Sequence, residues 1–262
     1  MDHLKPLIDA LHAEGRLRVW SLVITAFGDS VQHRGGRIST MRLGLLLGRI
    51  GIEPGALRTA LSRLGRDGWV SSERQGRASL YRLTDKGAAE YRDASPRIYA
   101  APVQGRTTEW ALSLDDDPKA LKIGGLSLRP AAAPHPETGF RMTGQLEQIA
   151  PAVRNSLLPP DHLAALRALL RDLDSLPPNL SPLDAAAART LLIHRWRRIV
   201  LRFAEVPPDL LPDDLPCPRR RMAEAYAALT PGAEDWLSTA LPDIGAMPPP
   251  DASFARRFDG NA

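Results

Sequence analysis

The chain has 262 residues, of which 44% are hydrophobic and 24% charged, enough for one large domain or several small ones. Its single cysteine, Cys217, excludes a disulfide framework and a zinc site built on paired thiols. No apolar run approaches the roughly 20 residues of a membrane span, and the first residues lack a signal-peptide core. These features predict a cytoplasmic protein.

Charge and proline both divide the chain. Residues 1–100 hold 16 Lys and Arg against 10 Asp and Glu, whereas residues 101–262 hold 18 against 20. Of the 24 prolines, only 3 lie in the first hundred residues. We therefore expect a domain boundary near residues 100–105. The cationic first part indicates a module that contacts a polyanion.

The first part predicts helices followed by a hairpin. Residues 17–29 are apolar nearly all round, as in a helix buried in a small core. Ser39 or Thr40 can cap a second helix. A third helix begins near Pro54, which suits the first turn, and stops at Gly68.

The segments "WVSSER" and "RASLYRL" alternate as strands do and flank a two-residue Gln75–Gly76 connection. Glycine supplies the positive φ that a tight hairpin requires. Three helices followed by a hairpin are the element order of a winged helix-turn-helix domain.

The third helix has two distinct faces. Its apolar residues recur at helical spacing and predict the buried face, at Leu57, Ala60, Leu61 and Leu64. The opposite face carries cations and small hydroxyls, at Arg58, Thr59, Ser62, Arg63 and Arg66. Arginine can bridge a guanine edge or a phosphate, and Ser and Thr reach phosphates, so this face predicts contact with a DNA major groove.

The hairpin adds Arg74 and Arg77 on either side of its tip, with Arg82 further along. Cations there would reach phosphates beside the neighbouring minor groove. The alternative is a solvated arginine-rich face, or a basic face that binds an acidic protein in a non-enzymatic scaffold. Helix order, hairpin and charge asymmetry agree with one another and favour DNA.

The remainder of the chain predicts a small α+β region and then helices. Short strands are expected at "TEWALSL", "GGLSLRP" and "ETGFRMTG", and an amphipathic helix over residues 161–176. Two further helices are expected at "LDAAAARTLLIHRWRRIVLRF" and "RRRMAEAYAAL". The tail after the prolines at 248–250 is expected to be irregular and frayed.

An enzyme is not predicted. Asp115, Asp116 and Asp117 follow a candidate strand and could hold Mg²⁺ in a nuclease. The same residues are equally suited to a turn and helix cap, and this interpretation is favoured. The histidines fall in no metal-ligand spacing and no phosphate-loop or nucleophile motif occurs, so neither a metal nor a cofactor is expected.

Arg195, Arg198 and Arg202 recur at steps of three and four on one predicted helix. They could bind an anionic effector such as a phosphate-bearing acyl-CoA, or an acidic partner surface. A solvated amphipathic helix is the third interpretation. Trp196 and Ile199 are expected in the core rather than against a ligand.

Several segments resemble PaaX-type repressors, the bacterial regulators of phenylacetate degradation. The resemblance is carried by "SLVITAFGDSVQHRGG", "ALRTALSRLGRDGWV" and "RQGRASLYRLTDKG" in the first part, and by "HRWRRIVLR", "PPDLLPDDLPCPRRRMAEAYAAL" and "PGAEDWL" near the C-terminus. These segments stand in the same order as in the family and span two of its domains.

The resemblance implies an α+β protein of three domains: a winged helix-turn-helix (1–100), a small ferredoxin-like domain (105–180) and a helical domain (181–262). It implies a homodimer on double-stranded promoter DNA, repressing an aromatic-acid catabolic operon. Phenylacetyl-CoA or a related acyl-CoA would release it. By position, the recognition helix and wing tip would contribute Arg58, Thr59, Ser62, Arg63, Arg66, Arg74, Gly76 and Arg77, and Thr40 completes the predicted DNA-binding set.

Overall fold

The computed structural model of the chain describes residues 2–259, apart from positions 14, 16, 77, 104, 118, 119, 138, 243 and 244. Within these residues, helices and two antiparallel sheets form an α+β fold. No helix in the described part of the chain is both long enough and apolar enough to cross a membrane.

The first part of the chain is a helical unit with a small sheet. Its elements are α1 (Lys5–Ala13), α2 (Val19–Ala26), β1 (Arg37–Ser39), α3 (Thr40–Arg49), α4 (Pro54–Arg66), β2 (Val70–Gln75), β3 (Ala78–Leu83) and α5 (Asp85–Ile98). The sheet order is β1-β3-β2, with both pairings antiparallel. A π-helical turn, Phe27–Val31, extends α2.

Local sequence accounts for several of these boundaries. Ser39, and not Thr40, caps α3, because its hydroxyl oxygen accepts the Arg42 N–H at 3.1 Å. Pro54 occupies the first turn of α4, and Gly68 after that helix has φ 72°.

The hairpin turn differs by one position from the prediction. Gln75 pairs with Ala78 in the β2–β3 ladder, so Gln75 belongs to the strand and not to the connection. Gly76 has φ 60°, a left-handed conformation that glycine adopts without steric cost. The predicted contact residue Arg77 lies outside the described residues.

The central part contains β4 (Trp110–Ser113), β5 (Leu121–Ile123), β6 (Leu126–Pro130) and β7 (Arg141–Gly144), followed by α6 (Pro151–Ser156) and α7 (Pro160–Asp174). The sheet order is β5-β6-β4-β7, antiparallel throughout. A ferredoxin-like domain also needs helices between its first two and its last two strands. The described residues of those connections contain none, so the ferredoxin-like assignment stays a prediction.

The last part is dominated by two long helices. They are α8 (Pro182–Arg202) and α9 (Pro218–Ser238), and a short α10 (Ala252–Ala255) follows. The helix α8 packs against α9 and α7, and also against α2, α3 and α5 of the first part. The first and last parts therefore share one hydrophobic core, and the predicted domain boundaries stay predictions.

The expectation of a frayed tail is wrong. The Asp251 N–H donates to the His33 carbonyl at 2.7 Å, and the Phe254 ring stacks on His33 with centroids 4.3 Å apart. The Phe258 N–H donates to the Tyr99 carbonyl at 2.8 Å. The described tail residues 251–259 are held in place because Phe254 and Phe258 pack onto the first part of the chain.

A buried carboxylate joins these parts. Asp29, in the π-helical turn, is fully buried. Its Oδ1 accepts the hydroxyls of Tyr99 and Tyr226 at 3.0 Å each, and its Oδ2 accepts Arg189 Nε at 2.9 Å. From the tail, Arg257 Nη1 lies 3.3 Å from Oδ1 and donates to the Asp29 carbonyl at 2.7 Å. Burial raises the pKa of Tyr99 well above its ordinary value, so this hydroxyl stays a donor.

Asp29→Asn is expected to lower the free energy of unfolding by about 3–5 kcal/mol, because the buried Arg257 would lose its ion-pair partner Asp29 and Arg189 would keep only Glu234. Urea denaturation measures the difference. Asp9→Asn is the control: Asp9 has 62% of its side chain exposed, and its loss should cost less than about 0.5 kcal/mol. Equal effects of the two substitutions would contradict the role given to Asp29.

Candidate nucleic-acid interface

The helix α4 buries the face that its sequence predicts. Leu57, Ala60, Leu61 and Leu64 are each no more than 6% exposed, and α4 packs against α2. The opposite face is exposed, at Arg58, Thr59, Ser62, Arg63 and Arg66. The fold therefore brings these five predicted contact residues together on one solvent-facing surface.

Two side chains of this surface already have partners within α4 and its end. Thr59 Oγ1 donates to the Gly55 carbonyl at 3.0 Å, which leaves its lone pairs as acceptors. Arg63 Nε lies 3.5 Å from Asp67 Oδ2, in an exposed i,i+4 pair. Such a pair contributes little stability, so Arg63 can leave Asp67 for a stronger anion.

Thr40 differs from the others. It is half-buried, and its hydroxyl donates to the Ser79 carbonyl at 3.1 Å. It thus joins α3 to β3, and its hydroxyl hydrogen is already used within the fold.

The hairpin presents a second cationic surface. Arg74 and Gly76 are exposed, and Arg74 Nε donates to the Gly76 carbonyl at 3.4 Å. Arg82 is exposed on β3, whereas Arg37 on β1 pairs with Glu73 at 2.9 Å. Of the three predicted wing-tip residues, Arg74 and Gly76 lie within the described part of the chain, and Arg74 is the charged one.

Sequence reasoning missed that some arginines of the first part are structural. Arg42 is 1% exposed, and its Nη1 donates to the Trp236 carbonyl at 2.9 Å. Arg34 is also 1% exposed, and its Nη2 lies 2.6 Å from Glu234 Oε2. The burial of Arg42 could have been predicted from its place on the apolar face of α3. No feature of the local sequence predicts the burial of Arg34. Neither adds to the surface charge that favours DNA.

A cationic cleft lies between the α1–α2 connection, α7 and α8. Its volume is about 810 Å³, within the range of small-molecule sites. Among its described lining residues Asp161 is the acidic one, and the arginines are Arg18, Arg195, Arg197, Arg198 and Arg202. The surplus of cations makes this cleft suitable for an anionic ligand.

The three predicted effector-binding arginines meet in this cleft but differ in setting. Arg195 is 7% exposed and forms an ion pair with Asp172 of α7. Arg202 Nη2 lies 2.5 Å from Asp161 Oδ2. Arg198 is exposed. Arg195 thus helps to hold α7 on α8, and Arg198 and Arg202 face the cleft opening.

An apolar cavity of about 370 Å³ lies on another side of α8. It is lined by β5 and β6, α7, α8 and the start of α9, mainly through apolar residues that include Leu121, Leu128, Leu166, Trp196 and Ile199. Its lining also contains charged residues: Arg97, Asp117, Arg129, Glu205, Arg219 and Arg220. Trp196 and Ile199 are no more than 4% exposed, as expected of core residues. Ile199 lines both this cavity and the cationic cleft.

The central aspartates do not form a metal site. Asp115 accepts hydrogen bonds from the hydroxyls of Ser127 and Ser113, both at 2.7 Å, and pairs with Arg129 at 3.2 Å. The two serine hydrogen bonds hold the pKa of Asp115 well below its usual range. Within the described residues no cluster of His, Cys, Asp and Glu could hold a metal ion. The arrangement gives no support to the nuclease alternative.

The predicted turn at these aspartates is present, since Asp115 Oδ1 also accepts the Asp117 N–H at 3.1 Å. The predicted helix after them is not found in the described residues. Beyond positions 118 and 119, which lie outside those residues, the chain enters β5.

An exposed cationic helix beside a cationic hairpin defines a candidate duplex-binding protein. The family model described as PaaX-like protein matches residues 18–87, and that of the PaaX-like protein C-terminal domain matches residues 160–239. The chain belongs to the PaaX-like family, which confirms the resemblance noted in its sequence.

The transcriptional repressor PaaX of Escherichia coli (strain K12) is 28% identical over 283 aligned residues, which cover 92% of this chain and 90% of the relative. A solved structure of an uncharacterized protein from Mycobacterium tuberculosis has 17% identity and a TM-score of 0.49, over 81% of this chain and 95% of the other. Most of the central sheet region lies between the two segments that the family models match.

Acid is expected to destabilise the fold through two buried histidines beside the cavities. Burial lowers the pKa of His162 to about 4 and that of His194 to about 3. The unfolded chain, whose imidazoles titrate near pH 6.5, binds these protons first. The free energy of unfolding therefore falls as the pH drops below about 6.5, by about 1.4 kcal/mol per pH unit for each histidine.

Urea titrations between about pH 7.5 and pH 5 measure this slope. His194→Gln should remove the share that His194 contributes, whereas substitution of the exposed His3 by glutamine should leave the slope unchanged. An unchanged slope in His194→Gln would contradict the assignment of this pH dependence to His194.

Proposed function

We propose that the protein is a transcriptional repressor that binds operator DNA in the cytoplasm through a winged helix-turn-helix formed by α3, α4 and the β2–β3 hairpin. The observation that carries the proposal is the exposed cationic face of α4 beside Arg74 of the hairpin. Membership in the PaaX-like family and the similarity to a transcriptional repressor support it.

In the proposed complex, α4 lies in the major groove. Arg58, Arg63 and Arg66 supply positive charge for phosphates or guanine edges. The small side chains of Thr59 and Ser62 can approach the phosphates closely. Arg74 contacts the backbone from the hairpin. As a homodimer, the protein would carry two recognition helices about 34 Å apart, so the operator should be palindromic.

The effector proposed is a CoA thioester of an aromatic acid, phenylacetyl-CoA or a related compound, and the repressed genes would serve the breakdown of that acid. The cationic cleft suits the phosphates of such a ligand, because cations outnumber carboxylates among its described lining residues. The apolar cavity across α8 suits an aryl group.

Anisotropy titrations of the protein's own upstream DNA, against a scrambled duplex at about 150 mM salt, test the proposal directly, because nonspecific binding is weak under those conditions. Tight, selective binding to the upstream DNA is expected. Equal and weak binding to both duplexes would overturn the proposal and favour a basic face that binds an acidic protein.

Arg63→Ala is expected to cost about 1–3 kcal/mol of operator binding and to blur sequence preference, because a base contact is lost. Arg74→Ala should instead weaken all duplexes alike and reduce the salt slope by about one. Arg92→Ala, at an exposed position of α5 outside the predicted contact residues, is the matched control. Wild-type binding by both test variants would show that the surface is misassigned.

Arg198→Ala is expected to weaken the binding of CoA and of phenylacetyl-CoA about tenfold, because one charge-assisted contact to a phosphate is lost. Isothermal titration calorimetry measures both ligands. Arg171→Ala removes an exposed cation of α7 that lines neither cavity and should bind both ligands as the wild type does. Equal ligand binding by the Arg198 and Arg171 variants would show that the effector does not bind in this cleft.

A further inference from the structure

The wall of the cationic cleft contains a histidine that uses one of its two ring nitrogens within the fold. His194, on α8, lines the cleft and is 4% exposed. Its Nδ1 lies 3.1 Å from Thr25 Oγ1 of α2. Its Nε2 forms no hydrogen bond with another of the described residues. This second nitrogen therefore remains for a group that enters the cleft.

The hydrogen bonds of Thr25 decide which nitrogen of His194 carries the hydrogen. The Thr25 hydroxyl has one hydrogen, and it donates to the Ser21 carbonyl at 2.9 Å. The hydroxyl oxygen accepts Arg197 Nη1 at 3.1 Å, which leaves its other lone pair for His194. His194 Nδ1 therefore donates to Thr25, and Nε2 holds a lone pair.

The surroundings of the ring favour the same arrangement. Burial, together with the charges of Arg197 and Arg198, lowers the pKa of His194 to about 3, so the imidazole is neutral at pH 7. On the side that faces these cations, a lone pair is favoured over an N–H. Nε2 is thus a hydrogen-bond acceptor in a wall that is otherwise rich in guanidinium donors.

The other side-chain acceptors described in the cleft are already engaged. Asp161 pairs with Arg202 through Oδ2, and its Oδ1 accepts the backbone N–H of His162 at 3.1 Å. Ser21 Oγ lies 3.5 Å from Arg197 Nη1. The arginines attract anionic groups, and His194 adds a position for an O–H or N–H group of the same ligand.

We propose that the cleft recognises an organic phosphate whose hydroxyl or amide N–H donates to His194 Nε2 while its phosphates contact the arginines. A site built to accept a ligand hydrogen bond discriminates against a ligand without the donor, because the protein group is then left unpaired. His194 is in this sense a specificity-determining residue, and Thr25 is the positioning residue that fixes its tautomer. The inference rests on the proposed function in placing the effector in this cleft.

Coenzyme A has the chemistry that this arrangement requires. It carries phosphates, a ribose hydroxyl beside one of them, and a hydroxyl and two amides along its pantetheine arm. The donor to His194 can lie on either half of the molecule. Inorganic sulfate, which carries no proton near pH 7, has the negative charge without the donor.

Two substitutions separate the roles of the two nitrogens. His194→Asn places an amide N–H near the position of Nδ1, so it keeps a donor for Thr25 and removes the acceptor. His194→Gln places an amide oxygen near the position of Nε2 and keeps the acceptor. In isothermal titration calorimetry, CoA should bind about tenfold more weakly to His194→Asn, and within about threefold of the wild type to His194→Gln. Both variants lose the ring, so their difference does not report lost packing.

Two further probes show which ligand group is read. Sulfate, measured by its competition with CoA, should bind His194→Asn as it binds the wild type, whereas Arg198→Ala should weaken both sulfate and CoA. Adenosine 3′,5′-bisphosphate locates the donor. A loss of its binding in His194→Asn places the donor on the nucleotide half, and a loss for CoA alone places it on the pantetheine arm; either result supports the proposal.

The tautomer is tested in the wild type by nitrogen-15 NMR of histidine-labelled protein, because protonated and unprotonated ring nitrogens resonate apart. We expect Nδ1 of His194 to be protonated and Nε2 to be unprotonated, with the Nε2 signal shifting when CoA is added. Thr25→Val should remove this preference and weaken CoA binding, and Thr25→Ser, which keeps the hydroxyl, should restore both. A protonated Nε2 in the free wild type would overturn the proposal.

The outcomes distinguish this inference from the proposed function. Equal CoA binding by His194→Asn and His194→Gln, with a loss in Arg198→Ala, would overturn the role of His194 and leave the effector in the cleft. Absence of CoA binding by the wild type would overturn both. Failure to bind operator DNA would overturn the proposed repressor and leave the ligand measurements standing, since they are made without DNA.

Discussion

The fold depends on the placement of one carboxylate, Asp29, in the π-helical turn after α2. A buried charge is costly unless donors surround it. Here the donors come from the residue after α5, from α8, from α9 and from the tail: they are Tyr99, Arg189, Tyr226 and Arg257. Segments that are distant in sequence must therefore meet at one point. This requirement fixes the first part of the chain against the last helices and orders a tail that would otherwise fray.

The helix α8 connects this core to the candidate functional surfaces. It packs against α2, which in turn supports α4, and it lines both the cationic cleft and the apolar cavity. A ligand that shifted α8 would therefore act on the elements that support α4, the proposed recognition helix. Packed secondary-structure elements can carry coupling between distant sites, and α8 would be that element for the proposed effector.

The central sheet stands apart from this arrangement. The core helices are buried on several sides, whereas β7 and the residues after it remain exposed. The same segment lies between the two regions that the family models match.

Much of the candidate DNA surface was determined by the sequence alone. The spacing of Leu57, Ala60, Leu61 and Leu64 is a local property of a helix, and it already decided that Arg58, Arg63 and Arg66 face solvent. The short strand β5, the order of the described tail residues and the burial of Arg34 could not be predicted in this way, and the partners of the buried Arg42 could not be predicted either. Only the tertiary structure decided these, because a buried arginine or an ordered tail depends on carbonyls, carboxylates and rings that lie up to some two hundred residues away in the chain.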